Sequence, residues 1–233
     1  MATDATKAAP LIVSIVMPVL NEAEAIGNTL AQFAIADRAA FELIVVDGGS
    51  HDRTIEIAQP FADQVLTQPG GRAIQMNHGA RHANAKYLLF LHADTQLPRG
   101  FLQILRPHFH QRCVWGRFDV RLSGDHPAFR VIEFLINRRS RLNGIATGDQ
   151  CIFVRRQVFE SLGGYPEIAL MEDIALSRAL KKIKAPLCLR SKVTTSSRRW
   201  ESRGIVRTIL LMWLLRFLYF IGYDPAKLAH LYR

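Results

Sequence analysis

The fold of this chain is decided by the stretch Tyr87-Leu-Leu-Phe-Leu-His-Ala-Asp-Thr-Gln-Leu-Pro98, in which an apolar run ends abruptly in His92, Asp94 and Thr95. Such a run is typical of a buried strand, and the polar residues then lie at its carboxyl end. In open α/β sheets, ligands bind just outside the carboxyl ends of the strands. A carboxylate there suits a hard divalent cation that bridges to phosphates. Asp94 is therefore predicted to anchor a metal or a diphosphate.

Upstream of this stretch, apolar runs and helical patterns alternate. Strands are predicted where the residues are apolar and often β-branched, at 11–17, 41–46, 65–66 and 87–91. Helices are predicted between them, beginning after Asn21, at 52–59 and from Arg72 to about 83. Strands that are apolar along their whole length and alternate with helices indicate a mostly parallel sheet with helices on both faces. The fold class is therefore predicted to be α/β and Rossmann-like, with a twisted sheet.

Downstream of this stretch the pattern is less regular. Helices are predicted at 100–109, 128–142, about 157 and 171–181, and strands at 114–122, 150–154, 187–189 and 193–195. We expect residues 11–200 to form one domain, followed by an apolar, basic helical extension at 201–233. Residues 1–10 are expected to be flexible, and they lack the apolar core of a secretory signal.

The charge is distributed unevenly along the chain. Up to Pro98 there are 6 Lys and Arg against 10 Asp and Glu, and from Arg99 onward there are 24 against 10, so the balances are −4 and +14. A basic second half indicates either a solvated arginine-rich surface or an anionic partner, such as nucleic acid, a membrane surface or a phosphorylated substrate. The three widely spaced cysteines form neither a metal-binding pair nor a disulfide framework, which favours a reducing, cytoplasmic location.

The stretch 204–223 is strongly apolar but is interrupted by Arg207 and Arg216. On insertion scales an arginine near the centre of a membrane span costs about 2.5–3.5 kcal/mol, whereas each leucine returns only about 0.3–0.6 kcal/mol. Spanning a membrane is therefore marginal. Two interpretations stay open: a helix packed in the core or in a homodimer, and a helix that lies on the membrane through aromatic residues such as Trp213. The second would make the protein peripheral at the inner face of the cell membrane.

Three carboxylates follow predicted strands in the first half: Glu22, Asp47 and Asp94. Each alone is as readily a helix cap or a turn residue, but three at one rim of a sheet favour a ligand with hydroxyls and phosphates. Gly71 and Arg72 open a helix, and this segment alone is as readily only a tight turn as a site where backbone amides and the guanidinium face a phosphate. The chain has no Gly-x-Gly-x-x-Gly after its first strand and no Walker-type loop, so neither kind of nucleotide site is expected.

Two acidic segments lie in the second half. Asp149 and Gln150 precede a predicted strand, and Glu172 and Asp173 begin a predicted helix. Acidic residues in a first helical turn are explained by the helix dipole alone. If the rim holds a sugar nucleotide, however, the reaction needs a base opposite the leaving diphosphate, and a carboxylate suits that role.

Four segments in the same order resemble the family-2 glycosyltransferases of the GT-A type. They are Ser14-Ile-Val-Met-Pro-Val-Leu-Asn-Glu22, Ile44-Val-Val-Asp-Gly-Gly-Ser50, Phe90-Leu-His-Ala-Asp94, and Gly163-Gly-Tyr-Pro166 with Glu172-Asp173. The resemblance extends over about 11–200. More narrowly, five segments resemble a small bacterial subgroup associated with arsenosugar biosynthesis: Gly71-Arg-Ala-Ile-Gln-Met-Asn77, Leu91-His-Ala-Asp94, Thr147-Gly-Asp-Gln150, Leu170-Met-Glu-Asp173 and Ser196-Ser-Arg-Arg-Trp200.

The resemblance implies an inverting enzyme that moves a sugar from a UDP- or GDP-linked donor to an acceptor hydroxyl. Residues 11–98 would form the donor half and 99–200 the acceptor half. Donor contacts are implied for one set of residues: Pro18, Val19, Asn21, Glu22, Asp47, Gly71, Arg72 and Asp94. Asp173 would be the catalytic base and Glu172 its support. The acceptor, a small molecule or a lipid-linked one, would lie near a second set: Asp149, Gln150, Arg199 and Trp200.

The resemblance also implies a metal cofactor. Asp94 matches the last carboxylate of the family's Asp-x-Asp motif, a ligand for Mn²⁺ or Mg²⁺, and His92 stands at the first position. Imidazole can bind Mn²⁺, whereas Mg²⁺ prefers oxygen. A histidine that only packs or orients Asp94 is the alternative to a ligand. Ser196 stands where processive members carry Gln, which argues against a processive polymerase.

Two other functions stay open beside this one. A polyprenyl-phosphate acceptor at the membrane surface would account for the basic second half and for the apolar stretch 204–223. A nucleic-acid-binding protein would account for five arginines: Arg138, Arg139, Arg141, Arg155 and Arg156. No recognised nucleic-acid motif accompanies them and the acidic rim opposes that function, so no nucleic-acid partner is expected.

Overall fold

The computed structural model describes residues 11–232, and an eight-stranded mixed sheet lies at its centre. The strands in chain order are β1 Val13–Val19, β2 Phe41–Asp47, β3 Gln64–Thr67, β4 Tyr87–Phe90, β5 Thr95–Gln96, β6 Trp115–Leu122, β7 Phe153–Arg155 and β8 Leu187–Thr195. Across the sheet their order is β3-β2-β1-β4-β7-β6-β8-β5. The flexibility expected of residues 1–10 concerns a segment outside the described residues.

Ten helices accompany the strands within residues 11–232. They are α1 Ala23–Ala31, α2 Thr54–Ala58, α3 Arg72–Arg81, α4 Phe101–His110, α5 Pro127–Asn143, α6 Arg156–Ser161, α7 Glu172–Ile183, α8 Arg198–Arg203, α9 Ile205–Phe220 and α10 Pro225–Tyr232. Short 3₁₀ turns occupy Arg38–Ala40 and Gly148–Gln150. The predicted α/β fold with a mostly parallel first half is confirmed.

The parallel half places the site. β1 lies between β2 and β4 and runs parallel to both. The chain order reverses between β1 and β4, which is where α/β sheets of this kind open a crevice for a ligand. Every residue of β1 and β2 is buried because helices cover both faces. α3 packs especially closely here, since a Cβ atom on Gly79 would lie 2.6 Å from Cγ1 of Val16.

The second half departs from the predictions in three places. β8 is one strand, not two, because the polar Arg190 and Lys192 point to solvent from a continuous strand parallel to β6. The strand predicted at 150–154 is replaced by the turn Gly148–Gln150 and the shorter β7, which runs antiparallel to β4. β5 was not predicted, and it pairs with the end of β8 directly after Asp94.

Two apolar cores fill the space on the two faces of the sheet. One contains a cluster of aromatic rings in which Phe33 and Phe41 both meet Phe101 edge to face. The other includes Trp115 and Tyr165 and lies beneath α3, α6 and α7. Aromatic pairs in these orientations add about 0.5–1.5 kcal/mol each beyond the burial of their area. The cores hold the strand ends, and therefore the site, in fixed positions.

The helix α9 has two different faces. Leu215 is fully buried and joins Met171 and Ile174 in a small apolar cluster, whereas Trp213 on another face is 63% exposed. The buried face agrees with the interpretation as a packed helix, and contact of the exposed face with a membrane stays a prediction. α9 has 16 residues, which at about 1.5 Å per residue is shorter than a hydrocarbon layer of about 30 Å. Among the helices of residues 11–232, none has the length and apolar character needed to cross a membrane.

Candidate active site

The loops after β1 and β2 are tied to each other at the carboxyl rim of the sheet. Asn21, at a φ of 53°, donates its backbone N–H to Oγ of Ser50 (2.9 Å), and its side-chain oxygen accepts from the backbone N–H of His51 (2.9 Å). The backbone N–H of Glu22 donates to Oγ1 of Thr54 (2.8 Å). These bonds position Glu22 at the rim.

Asp47 ends β2 and organises its own turn. Its carboxylate accepts the backbone N–H groups of Gly49 (3.0 Å) and Ser50 (3.1 Å) and the hydroxyl of Ser50 (2.6 Å). Asp47 therefore stabilises its own turn, which is one of the two roles expected for it. Its contact with a nucleotide-sugar donor stays a prediction. Pro18 and Val19 have buried side chains within β1, so only the loop that follows them is open to a ligand.

A residue that sequence reasoning missed holds β1 and β2 together at this rim. The buried side chain of Gln75 in α3 donates to the carbonyl oxygens of Val19 (2.8 Å) and Val46 (2.8 Å). The Val19 carbonyl also accepts the backbone N–H of Gly48 (2.9 Å), so Gln75 adds a second bond there and connects the two strand ends. Each such hydrogen bond contributes about 0.5–1.5 kcal/mol net. No local pattern marks Gln75, since its partners are 56 and 29 residues away.

Arg72 stands at the first position of α3, as predicted. Gly70 and Gly71 precede it with φ values of 117° and 103°, a conformation that is strained for any residue with a side chain. This turn directs the first backbone amides of α3 toward the rim, where an anion is favoured. The guanidinium is half exposed and lies 4.0 Å from Oε1 of the buried Glu172.

Asp94 faces the cavity beside Glu22. One carboxylate oxygen of Asp94 accepts from the hydroxyl of Thr95 (3.2 Å), and its backbone oxygen accepts from the N–H of Ser196 (3.2 Å). Burial, followed by the charge of Asp94, raises the pKa of Glu22, and the Arg198 guanidinium 3.6 Å away lowers it. Two carboxylates and an arginine therefore converge where β1 and β4 end.

His92 does not present Nε2 to a metal. A Cβ atom on Gly148 would lie 2.6 Å from Nε2 and 2.8 Å from Cε1 of the imidazole, so this edge packs against the Gly148 backbone. Burial, followed by the charge of Arg72, lowers the pKa of His92 to about 3, so the ring is neutral. The predicted ligand role, already in competition with a packing role, is not supported at this nitrogen.

Glu172 and Asp173 form the first turn of α7, as predicted. Asp173 accepts the backbone N–H groups of Gly148 (2.8 Å) and Ile174 (2.7 Å). Burial raises the pKa of both carboxyls, and that of Glu172 rises to about 7 because the neighbouring Asp173 adds repulsion. Two amide hydrogen bonds favour the ionised form of Asp173. Asp173 is therefore the member of the pair suited to carry the charge.

The turn Gly148–Gln150 lies between His92 and Asp173. Thr147 and Gln150 close it by a capping box. Gln150 is fully buried and is not among the residues that line the cavity, so its predicted contact with an acceptor is not supported. Asp149 does line the cavity, and its buried Oδ1 has no hydrogen-bond partner within residues 11–232.

A cavity of about 510 Å³ joins these parts. One end is polar and contains Arg72, Asp94, Glu172 and Asp173. The other end lies between α5, α9 and the start of α7 and is walled largely by apolar side chains. The structure therefore brings the predicted metal residue and the predicted base into one continuous space.

Arg199 and Trp200 line the same cavity from α8, as expected for the acceptor side. The Arg199 guanidinium lies 4.0 Å from the centroid of the Tyr232 ring, and Trp200 packs against the cluster of Leu122, Phe129 and Ile132. Both residues also connect the catalytic domain to the C-terminal helices, so their contribution is partly to packing.

Two further arginines that were not assigned to the site line this cavity: Arg139 on α5 and Arg216 on α9. In the sequence, Arg216 indicated only that a membrane span at 204–223 is marginal, and Arg139 belonged to the five arginines considered for nucleic-acid binding. Among the five arginines considered for nucleic-acid binding, Arg141 has a protein partner. It donates to both carboxylate oxygens of Asp119 (2.8 and 2.9 Å).

Comparison with known proteins supports the fold. A mannosyltransferase of Pyrobaculum calidifontis, solved with GDP-Man and Mn²⁺, superposes with a TM-score of 0.66 over 98% of this chain and 72% of its own, at 19% identity. A glucosyl-3-phosphoglycerate synthase of Mycobacterium tuberculosis, solved with Mn²⁺, UDP and glucosyl-3-phosphoglycerate, gives 0.60 over 88% and 80%, at 18% identity. The predicted GT-A type of fold is confirmed.

Sequence comparison identifies the family. A Mycobacterium bovis protein named PGL/p-HBAD biosynthesis glycosyltransferase is 31% identical over 172 residues, which cover 68% of this chain. This chain spans about 64% of the length of that relative. Residues 14–163, well over half of the chain, match the domain described as Glycosyl transferase family 2. The chain therefore belongs to glycosyl transferase family 2.

Proposed function

We propose that this chain transfers a sugar from a UDP- or GDP-linked donor to an acceptor hydroxyl with inversion at the anomeric carbon. The observation that carries the proposal is the single cavity in which Asp94 and Arg72 lie together with the Glu172–Asp173 pair. Relatives of the same fold were solved with GDP-Man or UDP together with Mn²⁺. A carboxylate for a metal and an arginine for phosphate oxygens are chemically suited to hold the diphosphate of such a donor.

The residues at the rim fit a metal that is shared with the donor. Within residues 11–232 there is no group of three or more His, Cys, Asp and Glu side chains that could hold an ion alone. Mg²⁺ and similar ions are often bound by one or two carboxylates plus substrate phosphates, however, and Asp94 supplies such a carboxylate. A bound Mn²⁺ or Mg²⁺ would neutralise charge on the leaving diphosphate.

Arg72 and Asp173 supply the remaining chemistry. Arg72 and the first amides of α3 bind the phosphates of the donor and stabilise the charge that develops as the nucleoside diphosphate leaves. Asp173 takes the proton of the acceptor hydroxyl as that oxygen bonds to the anomeric carbon and the bond to the diphosphate breaks. Glu172, uncharged in part near neutral pH, keeps the repulsion on Asp173 low. General-base help of this kind contributes a factor of about 10²–10⁴.

Two substitutions separate donor binding from chemistry. Calorimetry with Mn²⁺ should detect binding of UDP or GDP, and Asp94→Ala should weaken it at least tenfold. Asp173→Asn should leave that affinity unchanged and abolish release of nucleoside diphosphate from a nucleotide sugar in the presence of hydroxyl acceptors. The exposed Asp125→Asn serves as control for both assays. Full transfer by Asp173→Asn, or a product with retained configuration by NMR, would contradict the assignment.

A second candidate function is transfer to a polyprenyl phosphate at the membrane surface. The exposed apolar face of α9 favours it, since Trp213 and Phe217 are 63% and 60% exposed beside the cavity. In this case the full chain should float with anionic liposomes, and Trp213→Ser with Phe217→Ser should abolish flotation without loss of UDP affinity. A homodimer that covers the same face would instead appear as a mass of two chains in sedimentation, and the two substitutions would dissociate it.

The finer features of the sequence prediction remain predictions. A peripheral location at the inner face of the membrane depends on the flotation result. The resemblance to the subgroup associated with arsenosugar biosynthesis can be tested by supplying arsenic-containing acceptors.

A further inference from the structure

The apolar end of the cavity contains two positive charges. Its walls include Leu135 and Ile136 of α5 and Met212 of α9. Arg139 and Arg216 extend into the same space from these two helices. Two guanidinium groups in an apolar space are electrostatically unfavourable unless an anion accompanies them.

Arg139 lacks the partner that a buried guanidinium normally has. Its Nε and Nη2 atoms are buried, and neither donates a hydrogen bond to any acceptor within residues 11–232. Burial, followed by repulsion from Arg216, lowers the pKa of Arg139 to about 10. Arg141 lies two residues further along α5. Its two terminal guanidinium nitrogens donate to the two carboxylate oxygens of Asp119. Of these two arginines on α5, only Arg139 therefore has buried guanidinium atoms that are left without an acceptor within residues 11–232.

The nearby carboxylates do not supply the missing contact. Asp149 and Asp173 lie close enough to influence the pKa of Arg139. Among the described residues, however, neither forms a hydrogen bond or an ion pair with it, and Oδ1 of Asp149 is itself buried without a partner. Two donor atoms of Arg139 and one acceptor atom of Asp149, all in residues that line the cavity, are thus left without partners within residues 11–232.

We propose that Arg139 and Arg216 bind an anionic group, a phosphate or a carboxylate, on an acceptor whose apolar portion lies against Leu135, Ile136 and Met212. A guanidinium fork matches both anions by paired hydrogen bonds. The anchored acceptor then has its hydroxyl near Asp173, and the free Oδ1 of Asp149 is placed to accept a second hydroxyl. This inference rests on the proposed function and names the class of its acceptor.

The donor diphosphate is a different anion and has its own cations. Arg72 and Arg198 are the arginines whose charges reach Glu22, beside Asp94. Arg139 is coupled instead to Asp149 and Asp173, on the side of the base. On this basis the anion held by Arg139 is assigned to the acceptor, and the competition experiment with UDP tests that assignment.

Three small amphiphiles that have a similar alkyl tail and different head groups test this inference. Octyl phosphate, octanoate and octanol are titrated into the full chain, below their aggregation concentrations and with saturating UDP and Mn²⁺, and the fluorescence of Trp200 and Trp213 at the cavity is followed. At least one anionic probe should bind tenfold or more tightly than octanol. Which of the two binds distinguishes a phosphate from a carboxylate acceptor. Equal affinities for all three probes would overturn the inference.

Substitution of the arginines locates the binding. Arg139→Gln should weaken the anionic probe at least tenfold and leave octanol unchanged, and Arg216→Gln should act in the same direction. Arg138→Gln, an exposed neighbour on α5, is the matched control and should change neither. Unchanged anion affinity in both Arg139→Gln and Arg216→Gln would refute the site. Equal thermal melting of the variants and the parent chain excludes a folding defect.

The donor measurement keeps the two proposals separate. If UDP competes with the anionic probe, the arginines belong to the donor site and the inference is wrong although the proposed function stands. If UDP and GDP fail to bind at all, the proposed function is wrong. Loss of the anionic probe on Arg139→Gln, with UDP affinity unchanged, is the result that supports the acceptor site.

Discussion

Replacing Glu172 by glutamine should make the protein more stable at pH 8. The Glu172 side chain is only 9% exposed, and burial together with Asp173 raises its pKa from the ordinary 4.5 to about 7. Each pKa unit corresponds to about 1.4 kcal/mol, so ionising this carboxyl in the folded state costs about 3 kcal/mol. Arg72 offsets little of that cost because it is half exposed and 4.0 Å away.

The pH dependence gives this prediction its sign. The folded state binds the proton of Glu172 more tightly than the unfolded state does, so the contribution of this group to stability is fully present below pH 4.5 and is lost as the pH rises through 7. The gain from Glu172→Gln in the free energy of unfolding should therefore be near zero at pH 4.5 and reach about 3 kcal/mol at pH 8.

Urea unfolding of both proteins at pH 5, 6, 7 and 8 measures the difference. Glu160→Gln is the matched control, because Glu160 is 56% exposed and its pair with Arg156, at 3.9 Å, contributes little. A gain that is the same at every pH, or a loss of stability at pH 8, would refute the reasoning about burial.

Two other substitutions test the supports of the site. Gly79→Ala should lower the free energy of unfolding by about 1–3 kcal/mol, despite the better helix propensity of alanine, because the new Cβ would lie 2.6 Å from Val16 and 2.9 Å from Val46; a rise in stability would show that α3 can move away from the sheet. Asn77→Ala should lower the free energy of unfolding by about 2–6 kcal/mol. It removes the hydrogen bonds to both the N–H and the carbonyl of buried Tyr165 (2.8 Å each), and each group left unpaired costs about 1–3 kcal/mol. A fall in melting temperature of less than about 3 °C would contradict this reasoning.

The part of the fold that could be predicted is the part whose signal is local. The strand before Asp94 and the turn before Arg72 can be predicted because an apolar run and paired glycines mark them over a few residues. The strand Leu187–Thr195 was divided in two because the alternation of Arg190 and Lys192 toward solvent looks like an interruption when its parallel partner is unknown.

The contacts that complete the site were beyond sequence reasoning. Gln75 acts through carbonyls of two distant strands, and no spacing rule points to them. Arg139 and Arg216 lie on helices whose mutual approach is set by packing, so their shared cavity appears only in three dimensions. The role of His92 as a metal ligand is open from the sequence because imidazole suits Mn²⁺ better than Mg²⁺. The close approach of the Gly148 backbone to Nε2 adds a steric argument against that role, which no sequence pattern reveals.

The packing of Leu215 and Leu228 on Met171 and Ile174 has a consequence for the order in which the site matures. The apolar cover of the turn that carries Glu172 and Asp173 comes from residues more than forty positions later in the chain. During synthesis the strands β1 to β4 therefore emerge before this cover exists. If Asp173 acts as proposed, the pair is covered only after the C-terminal helices have docked, and clipping of the loop before α10 is expected to silence transfer while nucleotide affinity survives.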